Sequence, residues 1–563
     1  MQLAVHQDDA NILLNERNKL SESVLEKYRT AGNISQTTLK YLIQLINDSY
    51  HLGKTERPYS IQELCVLGDS MIMKLINNVY KDEDKVREKG IAHPVTFDVN
   101  EFVANVSPEF DVSSPQYILQ AGDVVTISLG AQIDGYSALS SHTIVIYPQG
   151  IMVDNELKPE GPLLGPKADA VVASYIATEA AVALVGLALT PEKIQSIPGL
   201  ANAPNAITGS LLRDVVNSIA SSFGCVVVPG SKIRRIRRFL AGQAEGIVAE
   251  KDFKGVVWDE SSQEAELLKK STGTDLILSD NKKPEGTNVL SAVPTDDFVV
   301  EAGEVYNIDL RLCSTGDFKE KGLITLEDVD DPKTKPTIFI RDVAVTHHLR
   351  LKSARKLLST VDKKFSVFPF KLTHTCESFP VNFENGDVHS QLNAIKDEIK
   401  VHKLGLSELS NRHLARPKPI QRVKHIPFAK ILTTANPTGR HGIDASKLSL
   451  PGKEVPLPAL GISALKLKSL LKFGTQASAV ARESTTIVLN NNVNEVIRLT
   501  GGNKTIRPSW VHSQYQMSGE YMALVHALSQ LVQDARFGIK MKEVQSFKLN
   551  ANVLHLDETM QLD

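Results

Sequence analysis

The chain has 563 residues, 42% hydrophobic and 23% charged, with 63 Lys and Arg against 65 Asp and Glu for a formal net charge of -2. Such a chain can bury a large core, which excludes a disordered scaffold and leaves one big domain with insertions, or two domains. With so little net charge, any affinity for polyanions has to come from charge clustered locally.

The N-terminus places Asp8, Asp9 and Glu16 among scattered apolar residues and lacks the basic-then-apolar order of a secretion signal. Val24, Tyr28, Ala31, Ile34, Tyr41 and Leu45 keep helical spacing, and Ser60 with Glu63 forms a capping box that opens a second helix through Leu64, Met71, Ile72 and Leu75. An α layer thus precedes the sheet. Two strands between Asp123 and Tyr147 flank an Asp134-Gly135 turn and read as a hairpin. An Ala-rich helix is expected over about 167–189, and another from Leu211 to Phe223 with Gly224 as its C-terminal cap. The most apolar helical run, Ala180 to Leu189, is too short to span a bilayer, so no membrane association is expected and the compartment reads as nuclear, cytosolic or both. Cys65, Cys225, Cys313 and Cys376 form no C-x-x-C pair, which argues against a thiolate zinc site and for buried thiols in a reducing compartment. A polar surface loop is expected over about 261–294, and a basic, Pro-rich irregular insertion over about 384–476 ahead of a last strand, Thr485 to Asn490. His347-His348 reads as a surface pair on a strand, and Gly501-Gly502-Asn503 as a turn.

One passage occurs twice. Ala121-Gly122-Asp123 followed by Val124 to Leu129 returns as Ala302-Gly303-Glu304 followed by Val305 to Leu310, each a turn feeding an alternating strand. At matching places the copies carry Ser128 and Asp309. In a duplicated α/β fold such positions can face the gap between halves and hold a metal, provided several anionic or imidazole ligands converge there.

Leu64 to Met73, Gly90-Ile91-Ala92-His93-Pro94, Gly122 to Thr143 and Lys167-Ala168-Asp169-Ala170 together resemble the methionine-aminopeptidase-like, pita-bread family. The likeness is greatest to its non-peptidase branch, the proliferation-associated receptor-binding homologues and the fungal pre-ribosomal export factors of the Arx type. For the Arx branch it runs over almost the whole chain, notably Val228-Pro229-Gly230-Ser231 and Arg234 to Gln243. This resemblance implies an α+β fold with duplicated αβ halves about a pseudo-two-fold axis, a curved antiparallel sheet and helices outside. A pita-bread domain would occupy about 21–545, carrying the two insertions, between tails at 1–20 and 546–563.

Family peptidases hold a metal pair on two Asp, one His and two Glu, with a further His beside the substrate. Carried over by resemblance, the first Asp falls on Ser128, the second on Leu139, the His within Lys232-Ile233-Arg234, the first Glu on Asp309, the second on Glu483, and the substrate-side His on Asn105. Two acids remain, a cation in a ligand's place repels a metal, and Asp309 and Glu483 are expected to be polar-cleft acids satisfied by nearby Lys, Arg or backbone donors. Neither His93, in register with Ala92-x-Pro94, nor His142, three residues after Leu139 and so facing the opposite side, is expected to restore the set. No catalytic residue, metal or cofactor is expected. The competing reading is a residual peptidase with one metal on Asp309 and Glu483.

Lys232, Arg234, Arg235, Arg237 and Arg238 interleave with Ile233, Ile236, Phe239 and Leu240, a pattern able to anchor apolar side chains and present guanidinium groups outward to phosphate. Between Glu408 and Asp444 no carboxylate occurs, while Arg412, Arg416, Lys418, Arg422 and Lys424 recur beside Pro417, Pro419 and Pro427, a composition suited to grooves of folded RNA. Acid-paired or solvated faces, and prolines that only shape an insertion, are the alternatives. From the resemblance follows an expected non-catalytic factor shuttling between nucleus and cytoplasm. Its partners would be the pre-60S ribosomal subunit near the exit tunnel, through ribosomal proteins and ribosomal RNA, phenylalanine-glycine nucleoporins and a small basic nuclear protein. A receptor- or transcription-associated binding protein is the third reading.

Overall fold

The computed structural model describes residue 12 and residues 15–547 apart from 82–85, 111–117, 154–155, 159, 202, 240–252, 261–262, 264–295, 330–333, 384–386, 436–468, 503–509 and 534–537. The expected loop at 261–294 and the C-terminal tail therefore lie almost wholly outside the described residues, as do residues 1–11 and 13–14 of the N-terminal tail.

The first strands are β1 (Lys89–Val99), β2 (Phe102–Ala104), β3 (Val124–Ile133), β4 (Tyr136–Val145), β5 (Ile151–Val153) and β6 (Glu156–Lys158). Next come β7 (Cys225–Val227), β8 (Lys232–Arg235), β9 (Gly255–Val257), β10 (Val305–Ser314), β11 (Gly322–Asp328) and β12 (Phe339–Arg341). The last are β13 (Ala415–Pro417), β14 (Gln421–Pro427), β15 (Thr475–Gln476), β16 (Val480–Asn490), β17 (Glu495–Arg498) and β18 (Met541–Glu543).

The main sheet runs β1-β3-β4-β16-β10-β8-β9, with β17 and β18 beyond β16 and β7 beside β10. Read outward from its middle, β4, β3 and β1 on one side answer β16, β10 and β8 on the other, which is the duplication suggested by the repeated passage. The repeat is chemical as well as topological. Gly122 and Gly303 take φ of +87° and +88°, a conformation in which a side chain is strained. Three residues before each acid, a backbone N–H closes the turn: Gln120 donates to Asp123 at 2.8 Å and Glu301 to Glu304 at 3.0 Å.

Each half has its own helix layer. Glu22–Ile46 and Ile61–Asn78, the latter opened by the expected Ser60–Glu63 capping box, bury their apolar faces against β1, β3 and β4. Pro166–Gly186 and Gly209–Ser222 pack with β10, β16 and β7. With its short 3-10 extension to Leu189, the Ala-rich helix is long and apolar enough to cross a membrane, longer than the Ala180–Leu189 run suggested, because Ala and Val continue the apolar surface back to Pro166. Most of it is buried inside the protein, where small side chains let it approach the sheet closely.

Three local expectations need correction. The 384–476 region is not irregular throughout: Val388–Asn411 is helical, with Leu392, Ile395, Ile399, Leu406 and Leu409 on its buried side, and β13, β14 and β15 follow. There β14 pairs with β11, β15 and β2 in a second sheet. The strand expected at Thr485 begins at Val480 and is followed by β17 and β18. His347 and His348 are exposed on a loop between β12 and the helix Lys352–Lys364, not on a strand.

Asp69, inside the Leu64–Met73 motif, joins the first helix layer to the rest. Fully buried, it accepts from Val95 N–H at 2.8 Å and from His374 Nε2 at 3.0 Å, with Lys371 Nζ at 3.9 Å. Removing it leaves the buried Lys371 ammonium with Glu109 as its remaining compensating charge and Ser107 Oγ as its acceptor, takes away the carboxylate that His374 meets, and orphans a backbone donor. Asp69→Ala is expected to lower stability by about 3–5 kcal/mol in urea unfolding, whereas a change under 1 kcal/mol would show that the network is dispensable.

Candidate functional site

The cleft lies on the face of the central sheet where the two halves meet, and has a volume of about 450 Å³. Asn105, Ser128, Leu139, Lys232 and Asp309 all line it, so five of the six carried-over positions do converge. Ser128 is opposite Ser141 on β4 and accepts from its hydroxyl at 2.8 Å, a neutral contact in place of a carboxylate.

Glu483 is the exception. Along β16 the cleft receives Arg482 and Ser484, while Glu483 accepts from Thr143 N–H at 3.0 Å and lies 3.0 Å from His142 Nδ1. Glu483 and His142 are thus a buried couple, and the expectation that Asp309 and Glu483 share one cleft is corrected: Asp309 pairs across the ladder with Ser484, which leaves the neighbouring Glu483 turned away. A single metal held by those two acids does not fit this arrangement. Among the described residues no group of three or more His, Cys, Asp or Glu is placed to hold a metal ion.

Asp309 is neutralised from within the protein. Arg482 grips it with two bonds, Nε to Oδ1 at 2.6 Å and Nη2 to Oδ2 at 2.8 Å, and Arg311 Nη2 reaches Oδ2 at 3.4 Å. Burial alone would raise its pKa, yet the Arg482 and Arg311 charges outweigh that and hold the carboxyl far below the usual range. Burial pushes Asp98 up to about 6 against the opposing charges of Arg482 and Arg311. His93, which does line the cleft, is pushed down to about 3 by burial and by the charges of Lys418 and Arg482, so near neutral pH it is an uncharged imidazole, with Nδ1 2.7 Å from the Pro94 carbonyl.

Asn105 has taken a positioning role. At φ +68° it donates through Nδ2 to the Pro419 carbonyl at 2.7 Å, tying the Pro417-Lys418-Pro419 segment into the cleft wall. The Val228 to Ser231 motif serves the same site: Ser231 Oγ accepts from Arg311 N–H at 3.0 Å, and at Gly230, φ +87°, an added Cβ would meet Arg311 Nη1 at 3.2 Å. Sequence reasoning missed Arg311 and Arg482, although period-two alternation from Asp309 already puts Arg311 on the same strand face.

The basic string over 232–238 does not point outward as expected. It is a strand and its exit: Lys232 and Arg234 line the cleft, and Arg235 and Arg237 are 8% and 7% exposed. Arg235 pairs with Glu304 at 3.2 Å, while Arg238 holds the β3–β4 turn through the Asp134 carbonyl and carboxylate, both at 2.7 Å. In the second basic region, Arg416 bonds Asp342 at 2.5 Å, and Arg422 and Lys424 share Glu327 at 2.6 and 2.9 Å. Arg412 is half-buried at the end of the Val388–Asn411 helix. An unforeseen basic surface is the helix Lys352–Lys364, where Lys352, Arg355, Lys356, Lys363 and Lys364 are all exposed.

No family model matches the chain. Over the full length of both proteins it is 58% identical to the probable metalloprotease ARX1 of Debaryomyces hansenii and 54% identical to that of Candida albicans. The chain belongs to the ARX1 family. The Saccharomyces cerevisiae ARX1 is 46% identical over 97% of each chain. In three dimensions a thermophilic Arx1 matches with a TM-score of 0.53 at 18% identity, covering 90% of this chain and 98% of its own. That likeness bears on the fold, which is the α+β pita-bread architecture.

The metal pair implied by this fold family does not suit the residues present in this ARX1 relative. Ser128 and Leu139 offer no carboxylate, Lys232 and Arg234 occupy the stretch expected to supply imidazole, and Asp309 is engaged by two guanidinium groups. Replacing Arg482 by Met should leave Asp309 buried with its charge poorly compensated and cost about 3–5 kcal/mol at neutral pH, read by chemical unfolding. A depressed carboxyl stabilises above its unfolded value, about 3.9, and that contribution fades as pH falls below it, so the gap between wild type and Arg482→Met should narrow on acidification through that range. A gap independent of pH would mean that the pair is not what stabilises the site.

Proposed function

We propose that this ARX1-family chain is a non-catalytic binding factor for the pre-60S ribosomal subunit, seated near the exit tunnel and accompanying the particle through nuclear export. The observation that carries the reading is Asp309 in the grip of Arg482 and Arg311: the cleft has exchanged a ligand set for an internal ion-pair network, leaving binding as the use for the surface. Full-length identity to ARX1 relatives supports the same assignment within the family. Those relatives are named probable metalloproteases, and that activity is the second reading.

On this proposal the ribosomal RNA is met by exposed cations. The helix Lys352–Lys364 carries Asp362 as its one acid, and that acid accepts from Arg341 Nε at 2.9 Å, so the face is positive overall. Ribosomal proteins, phenylalanine-glycine nucleoporins and a small basic nuclear protein complete the partner set, in a factor that shuttles between nucleus and cytoplasm. Weak, repeated binding of Phe side chains suits the nucleoporin step.

Affinity purification of the chain should recover immature large subunits; recovery of none would overturn the proposal. Changing Lys352, Arg355, Lys356, Lys363 and Lys364 to Ala should weaken binding to ribosomal RNA and lower the dependence of affinity on salt, each lost phosphate contact reducing the slope by about 1. A chelator should leave the melting temperature unchanged, and peptides beginning with Met should not be turned over; stoichiometric metal with turnover would establish the peptidase instead.

A further inference from the structure

The helix Lys352–Lys364 does more than display cations. Together with the loop that follows β12 it lines a groove of about 480 Å³. The apolar part of the lining is Leu349, buried in the same cluster as Leu357 and Val361, and the half-buried Leu358. The rest faces solvent: His347, His348, Arg355, Ser359, Asp362 and Lys363 line the groove and all are exposed, so a ligand reaches each of them without any part of the fold opening.

The loop is held at both ends. Arg341 Nη1 donates to the Val345 and Leu414 carbonyls at 3.2 and 3.3 Å, and Glu408 accepts from the Arg350 and Leu351 N–H groups at 2.7 and 2.9 Å. Arg355 spends Nη1 on the Leu349 and Arg350 carbonyls at 2.9 and 3.1 Å, which fixes the guanidinium beside the groove. Among the described residues its Nε and Nη2 make no bond, and neither do Ser359 Oγ and Lys363 Nζ, so donors remain for a ligand. Asp362, the one carboxylate in the lining, already accepts from Arg341 Nε at 2.9 Å, and Arg355 with Lys363 therefore leaves the groove positive. These two cations are roughly 12 Å apart along the helix axis, with Leu358 and Ser359 between them.

We propose that the groove takes one unstacked nucleotide of single-stranded RNA, its base against the His347 and His348 rings and the two leucines, its flanking phosphates on Arg355 and Lys363. Bases drawn out of a strand stack on imidazole rings, and a guanidinium with unused donors forks to phosphate oxygens. Ser359 Oγ, in the same lining, is a donor and acceptor for a ribose hydroxyl. A phosphorylated peptide would use the cations but leave the adjacent imidazoles and the leucines without a flat partner. Lys352 and Lys356 are exposed outside the lining and would meet the backbone of paired and unpaired RNA alike. The inference rests on the reading that this helix faces ribosomal RNA, and adds to it a preference for unpaired over paired strands.

Fluorescence anisotropy of the full chain tests it with two labelled RNAs, a hairpin whose loop is unpaired and a fully paired duplex of the same length. The hairpin should bind about tenfold more tightly. His348→Ala should remove that preference while duplex affinity and its salt dependence stay as in the unaltered protein, and His348→Phe, which keeps a flat ring, should retain it. The His348 side chain makes no hydrogen bond among the described residues, so both variants should melt as the unaltered protein does, and His347→Ala provides a second test of the stack. Equal affinity for hairpin and duplex, or a preference that survives both alanine variants, would overturn this inference and leave the surface reading standing. Binding of neither RNA would overturn both, and tighter binding of a phosphoserine peptide than of the hairpin would assign the groove to a different partner.

Discussion

The fold depends on how its two halves are joined. Between β4 and β16 the regular ladder is reduced to a single pairing, Ser484 with Ser141, and side chains supply the missing bonds. Thr143 Oγ1 accepts from Arg482 N–H and donates to the Arg482 carbonyl, both at 2.8 Å, and Thr486 Oγ1 does likewise for Leu139 at 3.0 and 3.1 Å. Glu483 adds a bond to Thr143 N–H from the face opposite the cleft. Buried backbone groups have to be paired, and hydroxyls inserted into the ladder pair them while letting the strands part. The opening between halves is therefore a consequence of the seam and needs no ligand to hold it.

That seam also sets the chemistry of the cleft. Arg482 is anchored through its backbone to Thr143 and through its guanidinium to Asp309, so one residue both closes the joint and cancels the surviving acid. A buried pair of this kind contributes little net stability over an apolar pair, because desolvation offsets the attraction, yet losing one partner is costly. The site is consequently locked into its present polarity: removing the guanidinium exposes a buried carboxylate rather than recreating a metal ligand set.

Fold and cleft lining are separable here: the pita-bread architecture is kept while, among the described residues, the cleft is lined by cations and hydroxyls in place of a metal-ligand set. The helix layers, the repeated turns and the Asp69 network maintain the scaffold regardless of what the cleft contains. With that scaffold fixed, side chains at Ser128 and Lys232 set the lining without disturbing the strands that bear them, since each strand is held by its own ladder and by its apolar face.

From the residues alone, the helix boundaries near Ser60 and Gly224, the Asp134-Gly135 hairpin and the doubled Gly-acid turn were all legible, because capping, turn geometry and alternation are local properties. So was the poverty of the ligand set, which depends on residue type. Tertiary structure decided the direction of each side chain. A one-residue step along β16 turns Glu483 away and brings Arg482 in, and no spacing argument could choose between them without the partner strand. The Arg-rich string over 232–238 read as a surface because its composition is that of one; packing of β8 against β10 buried it, and carboxylates distant in sequence, Glu304 and Asp134, supplied the charges that make burial tolerable.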